Sequence, residues 1–169
     1  GPLSIVADEE ALPFADGSFD LVVSALSLHW VNDLPGALIQ VRKALKPDGL
    51  FIAVVLGGRT LTGQTLEAFL AAVSHFPAFS IGMNCGIGPR QMREYVDILR
   101  KRVPSTTNIC CYPNAGMPDG MGGFDSNPAE FTQTVAEWAQ NGWLNIVGGC
   151  CGTNPEYIRR TAEAVSSLG

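Results

Sequence analysis

Six stretches of this chain are rich in Val, Ile, Leu and Phe, without regular alternation of polar residues within them: residues 3–7, 19–26, 50–56, 79–84, 107–112 and 144–148. Runs of that kind predict strands of a parallel sheet buried on both faces. Between them lie amphipathic stretches of helical length, near 33–45, 63–75, 89–103, 128–140 and 154–168. Their ends are punctuated. Gly88-Pro89, Asn127-Pro128 and Asn154-Pro155 each place proline at a first helical position, where its fixed φ suits the helix and its missing N–H costs nothing. Lys46-Pro47-Asp48-Gly49 and Asn141-Gly142 are stop signals, because proline cannot continue a helix and glycine takes the left-handed turn beyond it. Strand and helix alternate throughout, which predicts an α/β fold. The longest irregular stretch is the glycine-rich segment 113–127.

Composition narrows the function classes. The 169 residues suffice for one full core, and 46% of them are hydrophobic while only 16% are charged. A disordered chain, a coiled coil or a basic nucleic-acid arm would need more charge or lower complexity. The formal charge of −5 opposes binding to nucleic acid or to an anionic membrane. No run reaches the ~18–20 apolar residues of a membrane span, and no basic region with an apolar signal core opens the chain. The expectation is a soluble, cytoplasmic domain with no nucleic-acid or membrane partner. Gly1-Pro2 reads as a protease-cleavage scar and is left out of the fold.

Five cysteines make a poor disulfide framework, being odd in number and including two adjacent pairs, Cys110-Cys111 and Cys150-Cys151, whose direct bonding would be strained. Reduced thiols, some of them metal ligands, fit better. Cys110 and Cys111 point to opposite faces of a strand and cannot both reach one metal, so core packing is their expected role. His29-Trp30 could form a catalytic or stacking pair, but an edge histidine without a partner carboxylate motif is expected to be merely hydrogen-bonded. His75 ends a helix, where a positive imidazole suits the dipole. The glycines of 82–88 could form an anion-binding nest, but a tight turn explains them more simply. Asp8, Glu9, Glu10 and Asp16 read as a solvated loop.

Two resemblances emerge. Ala7-Asp8, Leu12-Pro13-Phe14, Phe19-Asp20-Leu21-Val22-Val23-Ser24 and Leu45-Lys46-Pro47-Asp48-Gly49 make residues 3–57 similar to the middle of a class I S-adenosylmethionine-dependent methyltransferase. The resemblance implies a carboxylate, Asp8, near the cofactor's adenine. The family's glycine-rich loop and ribose-gripping acidic residue have no counterpart in 3–57, so S-adenosylmethionine is not expected to bind. A different set of motifs follows: Gly58-Arg59-Thr60-Leu61-Thr62-Gly63-Gln64-Thr65, Gly82-Met83-Asn84-Cys85, Pro113-Asn114-Ala115-Gly116, and Asn145-Ile146-Val147-Gly148-Gly149-Cys150-Cys151-Gly152-Thr153. Through these, residues 57–169 resemble the C-terminal half of the homocysteine-binding, zinc-dependent methyltransferase domain of cobalamin-dependent methionine synthase, a (β/α)8 barrel. That resemblance implies zinc ligation by Cys85, Cys150 and Cys151, at the carboxyl ends of their strands. The N-terminal half of such a barrel, which supplies most of the amino-acid pocket, has no counterpart in these residues.

The two resemblances meet at Gly57-Gly58-Arg59-Thr60-Leu61. The chain therefore reads as an engineered or recombined fold chimera with no evolved catalytic activity, possessing a three-cysteine zinc site; no residue is assigned to catalysis or cofactor binding. The alternative is a zinc-dependent homocysteine S-methyltransferase or a thiol-binding remnant of one. Residues 1–169 are expected to form a single α/β domain, with a methyltransferase-like segment at 3–57 and a half-barrel-like segment at 58–169. Its mostly parallel sheet of five or six strands with about five helices is expected to be doubly wound, Rossmann- or flavodoxin-like, in preference to a half-barrel. Strands in sequential order would leave one sheet face bare, and a homodimer is the next expectation for covering it.

Overall fold

The structure, a computed structural model, describes residues 6–25, 28, 31–54, 65–75 and 78–168. Ten elements alternate along them: β1 (Phe19–Ala25), α1 (Leu34–Ala44), β2 (Leu45–Val54), α2 (Leu66–Val73), β3 (Ser80–Asn84), α3 (Pro89–Arg102), β4 (Asn108–Tyr112), α4 (Pro128–Gln140), β5 (Ile146–Val147) and α5 (Pro155–Val165). The fold is α/β, with every strand pair parallel and five helices, as the apolar runs and helical stretches predict. The strands are shared between two sheets, β1-β2 and β3-β4-β5, in which spatial neighbours are also neighbours in sequence. The strand expected at 3–7 falls largely outside the described residues, and Val6 and Ala7 are irregular. None of the described helices is long and apolar enough to cross a membrane.

Local chemistry sets the boundaries. Asp33, Asn127 and Asn154 cap α1, α4 and α5, each accepting backbone N–H bonds from the first turn, and each of these helices carries proline there. Asn127 Oδ1 accepts from both Ala129 and Glu130, at 3.0 and 3.1 Å, satisfying donors that the helix leaves unpaired. Lys46-Pro47-Asp48-Gly49 is placed differently from a simple helix stop. Phe19 pairs with Leu45 and Leu21 with Leu50, so two residues of β1 are matched by five of β2 and the four-residue turn bulges out of the ladder.

The larger core lies where α3, α4 and α5 cover the β3-β4-β5 sheet. Met92, Val96, Leu99, Phe131, Val135 and Trp138 are fully buried there. Along β4, Ile109 and Cys111 face this core while Asn108, Cys110 and Tyr112 are half-buried, the two-residue period of a strand. A smaller cluster joins Leu34 and Leu38 of α1 to Val73 of α2. In the first sheet, the register pairs Leu21 with Leu50 and Val23 with Ile52. These four side chains remain 43–59% exposed, leaving an uncovered apolar row on that face.

Ion pairs tie α3 to α4 outside the core: Arg93 with Glu137 at 2.6 Å and Arg90 with Glu130 at 2.9 Å. The Arg93 hydrogen bonds hold the Glu137 carboxyl below its ordinary range, and Lys101 and then Arg100 do the same for Asp97. A carboxyl depressed in the folded state adds stability that is complete above its unfolded pKa and is lost as pH falls through the folded value. Melting temperature is thus expected to decline in acid from about pH 4 downward. The Glu137→Gln variant should decline less steeply, and by little, because both partners are largely exposed. Parallel curves for variant and parent would contradict this.

Candidate metal centre

β3, β4 and β5 run parallel, so their carboxyl ends share one edge, the edge at which α/β folds gather their sites. Cys85 directly follows β3 and has φ 64. Left-handed backbone at a residue with a side chain is uncommon and costs energy, and it clusters at functional positions. Its N–H donates to the Tyr112 carbonyl at 2.9 Å, tying the turn to the end of β4. Cys150 and Cys151 lie just beyond β5. The Cys150 N–H donates to Pro113 O at 2.8 Å, and the Cys151 carbonyl accepts from Ala115 N–H at 2.9 Å. The segment after β4 is therefore bonded to both cysteines, with Asn114 between the two bonds. The Thr153 hydroxyl closes the turn by donating to Cys150 O at 2.6 Å.

These bonds bring three sulfurs together. Cys85 Sγ lies 3.5 Å from Cys151 Sγ, Cys150 Sγ lies 3.9 Å from Cys151 Sγ, and all three fall within 4.8 Å of one another. Tetrahedral zinc with Zn–S bonds of ~2.3 Å places its sulfurs about 3.8 Å apart. Donor type and spacing both fit zinc. Among the described residues this is the one group of three or more Cys, His, Asp or Glu side chains with metal-holding geometry. Cys151 is exposed and the other two are half-buried, so the cluster faces solvent.

Protons are shared unequally within it. Burial raises the Cys85 thiol, but hydrogen bonds from Cys150 and Cys151 outweigh burial and hold it below its ordinary value. Cys150 is pushed up to about 12, by burial first and then by its hydrogen bond to Cys85. Cys85 therefore gives up its proton more readily than Cys150, and a divalent cation can take the place of the shared protons.

The remaining sequence candidates fall elsewhere. Cys111 is buried in the core with its Sγ 3.0 Å from Met92 Sδ, and Cys110 is on the other face of β4. Neither joins the cluster. Burial pushes the Cys111 thiol up to about 12, so iodoacetamide at pH 8 should leave it unmodified in the native protein and label it in urea. Native labelling seen in a peptide mass map would contradict its burial. Asp8 is engaged locally, its Oδ1 accepting from Glu10 N–H at 2.8 Å. Leu12 and Phe14 line a cavity of about 350 Å³ beside β1 whose walls are apolar apart from Glu9 and Ser24. Glu10 accepts from Asn32 N–H at 2.6 Å, which ties the acidic stretch to the start of α1. His75 lies in an exposed turn after α2, Gly82 belongs to β3 while residues 85–88 form the tight turn that opens with Cys85, and His29-Trp30 lies outside the described residues.

Two residues near the cluster carried no role in the sequence reading. Asn114 Oδ1 is buried with no hydrogen-bond partner among the described residues, an oxygen lone pair free for an ion or a water. Its signal was the Pro113-Asn114-Ala115-Gly116 motif. Phe124 packs on Gly152, the residue after Cys151, and no motif singles it out.

A family model described as homocysteine S-methyltransferase matches residues 24–165. The match supports the second of the two resemblances and runs through Gly57-to-Leu61, where the two meet. It lends nothing to the S-adenosylmethionine resemblance or to a recombined origin. Since it takes in most of the chain and all three converging cysteines, this protein is a member of the homocysteine S-methyltransferase family.

Proposed function

We propose that the chain, acting as one α/β domain, holds a zinc ion with the thiolates of Cys85, Cys150 and Cys151 and uses it in S-methyl transfer to homocysteine. The convergence of three sulfurs within 4.8 Å, from turns 66 residues apart, carries this reading. Membership of the family supplies the substrate class. Zinc, when bound, supplies a fourth position open to a substrate thiol and lowers the pKa of the thiol that reaches it. The chain's own part is to fix the three sulfurs. The left-handed turn at Cys85 sets one of them, and the hydrogen bonds to the Pro113 carbonyl and from the Ala115 N–H and Thr153 hydroxyl set the other two. The exposure of Cys151 leaves the cluster accessible to a thiol from solvent.

The test is a zinc titration of metal-depleted protein, followed by an assay with homocysteine and an activated methyl donor (a methylsulfonium compound or a methylated cofactor), which measures methionine formed together with the demethylated donor. One equivalent of tightly held zinc and methionine formation are expected. Failure to hold a full equivalent would overturn the metal site, and zinc without methionine would overturn the enzymatic reading alone.

A further inference from the structure

We infer that Phe124 is a positioning residue for the metal cluster: its ring seats the turn that carries Cys150 and Cys151. This rests on the metal-site reading above. Gly152 follows the paired cysteines with φ +77, and a Cβ there would overlap the Phe124 ring at Cδ2, Cγ and Cε2. The ring therefore lies against the Gly152 backbone, where any side chain would displace one or the other.

The ring is itself held rigidly. Phe124 pairs with Pro118 in a short antiparallel bridge. The intervening tip is closed by Asp119, whose carboxylate accepts from Met121 and Gly123 N–H at 2.8 and 2.9 Å while its own N–H donates to Gly123 O at 3.0 Å. The base is stitched to the segment after β4: Asp125 Oδ1 accepts from Met117 N–H at 2.8 Å, and Ser126 N–H donates to Ala115 O at 3.0 Å. Ser126 O accepts from the Tyr157 hydroxyl of α5 at 2.6 Å, and Phe124 packs on the larger core. The finger 117–126 thus grips the cysteine turn from outside, as Thr153 does from within. Metal affinity depends steeply on such outer supports, because the ligands must stay within a few tenths of an ångström of their positions.

The test uses the whole metal-depleted chain, titrated with Co2+ and then with Zn2+ in competition. Cobalt's visible and thiolate charge-transfer bands report the geometry around the ion, which a merely structural residue would not alter. Phe124→Ala is expected to weaken binding of both ions by about tenfold or more and to shift the cobalt bands, with helix content retained by circular dichroism. Phe124→Tyr keeps the ring and should restore both. Gly152→Ala should weaken binding with the ring in place, and less so in the Phe124→Ala background, the non-additivity of two groups in contact. Wild-type affinity and bands in Phe124→Ala would overturn the inference. If that variant loses its fold, Gly152→Ala decides instead, and unchanged binding there overturns it equally. Wild-type protein that takes up neither ion would defeat the metal-site reading itself, a distinct result.

Discussion

Serine in place of Cys150 is expected to abolish stoichiometric zinc binding. A structural zinc site gains roughly 10–16 kcal/mol from four ligands, so one thiolate contributes on the order of 3–4 kcal/mol, or roughly several hundredfold in affinity. A serine hydroxyl does not deprotonate near neutral pH and is a harder donor than sulfur, so it regains little of this. Two sulfurs would remain, Cys85 and Cys151 at 3.5 Å, too few for a closed set. Cys110→Ser is the matched control, because Cys110 stands on β4 outside the cluster, and it should leave zinc content unchanged. Competition against a chromophoric chelator measures both. A full equivalent of zinc retained by Cys150→Ser would remove this cysteine from the ligand set.

The largest expected loss of stability comes from Phe131→Ala. Phe131, Val135 and Trp138 recur along α4 at helical spacing, are all fully buried, and turn one face onto the larger core. Phe131 meets Tyr157 of α5 edge-on, with ring centroids 5.3 Å apart and planes at 84°. Emptying a fully buried aromatic site costs about 3–5 kcal/mol, and the lost ring pair adds about 0.5–1.5 kcal/mol. That is a large share of the roughly 5–15 kcal/mol that holds a typical domain together. The urea midpoint should fall steeply with an unchanged slope. Phe79→Ala, at a side chain 70% exposed, should move it by no more than about 0.5 kcal/mol. Equal shifts in the two variants would mean that α4 is not packed as described.

Much of the fold could be read from local chemistry. An asparagine followed by proline opened α4 and α5, and α4 begins at Pro128 and ends at Gln140 as its pattern predicts. Alternation along β4 places Cys110 and Cys111 on opposite faces, as expected, but only Cys111 is buried in the core that was expected to take both. Pairing was not legible, since the strands are apolar runs of similar kind and nothing local tells β2 that, among the described residues, it pairs with β1 and not with β3. The bulge at Lys46-to-Gly49 shows the same limit: the turn signal was real, but the ladder runs on both sides of it, through Phe19 with Leu45 before it and Leu21 with Leu50 after it. At the site, motif resemblance picked out the three cysteines, whose convergence is a product of the sheet edge. Asn114 is marked only by its place in the Pro113-to-Gly116 motif, and Phe124 carries no signal of its own. Each acquires its place from residues far along the chain, Phe124 from a glycine 28 positions later.

The separation between Cys85 and Cys151 also fixes an order of events. The two are 66 residues apart in the chain, and closing a flexible loop of that length costs on the order of 4 kcal/mol. No local encounter in the unfolded polypeptide can unite them, whereas the adjacent Cys150-Cys151 pair is present from the start. The third sulfur arrives only when β3, β4 and β5 are aligned side by side. On the proposed zinc reading, capture of the ion would be a late step in maturation, its rate reporting completion of the three-stranded sheet. An ion so held would bind the native state alone and lower its free energy by an amount set by the free metal concentration.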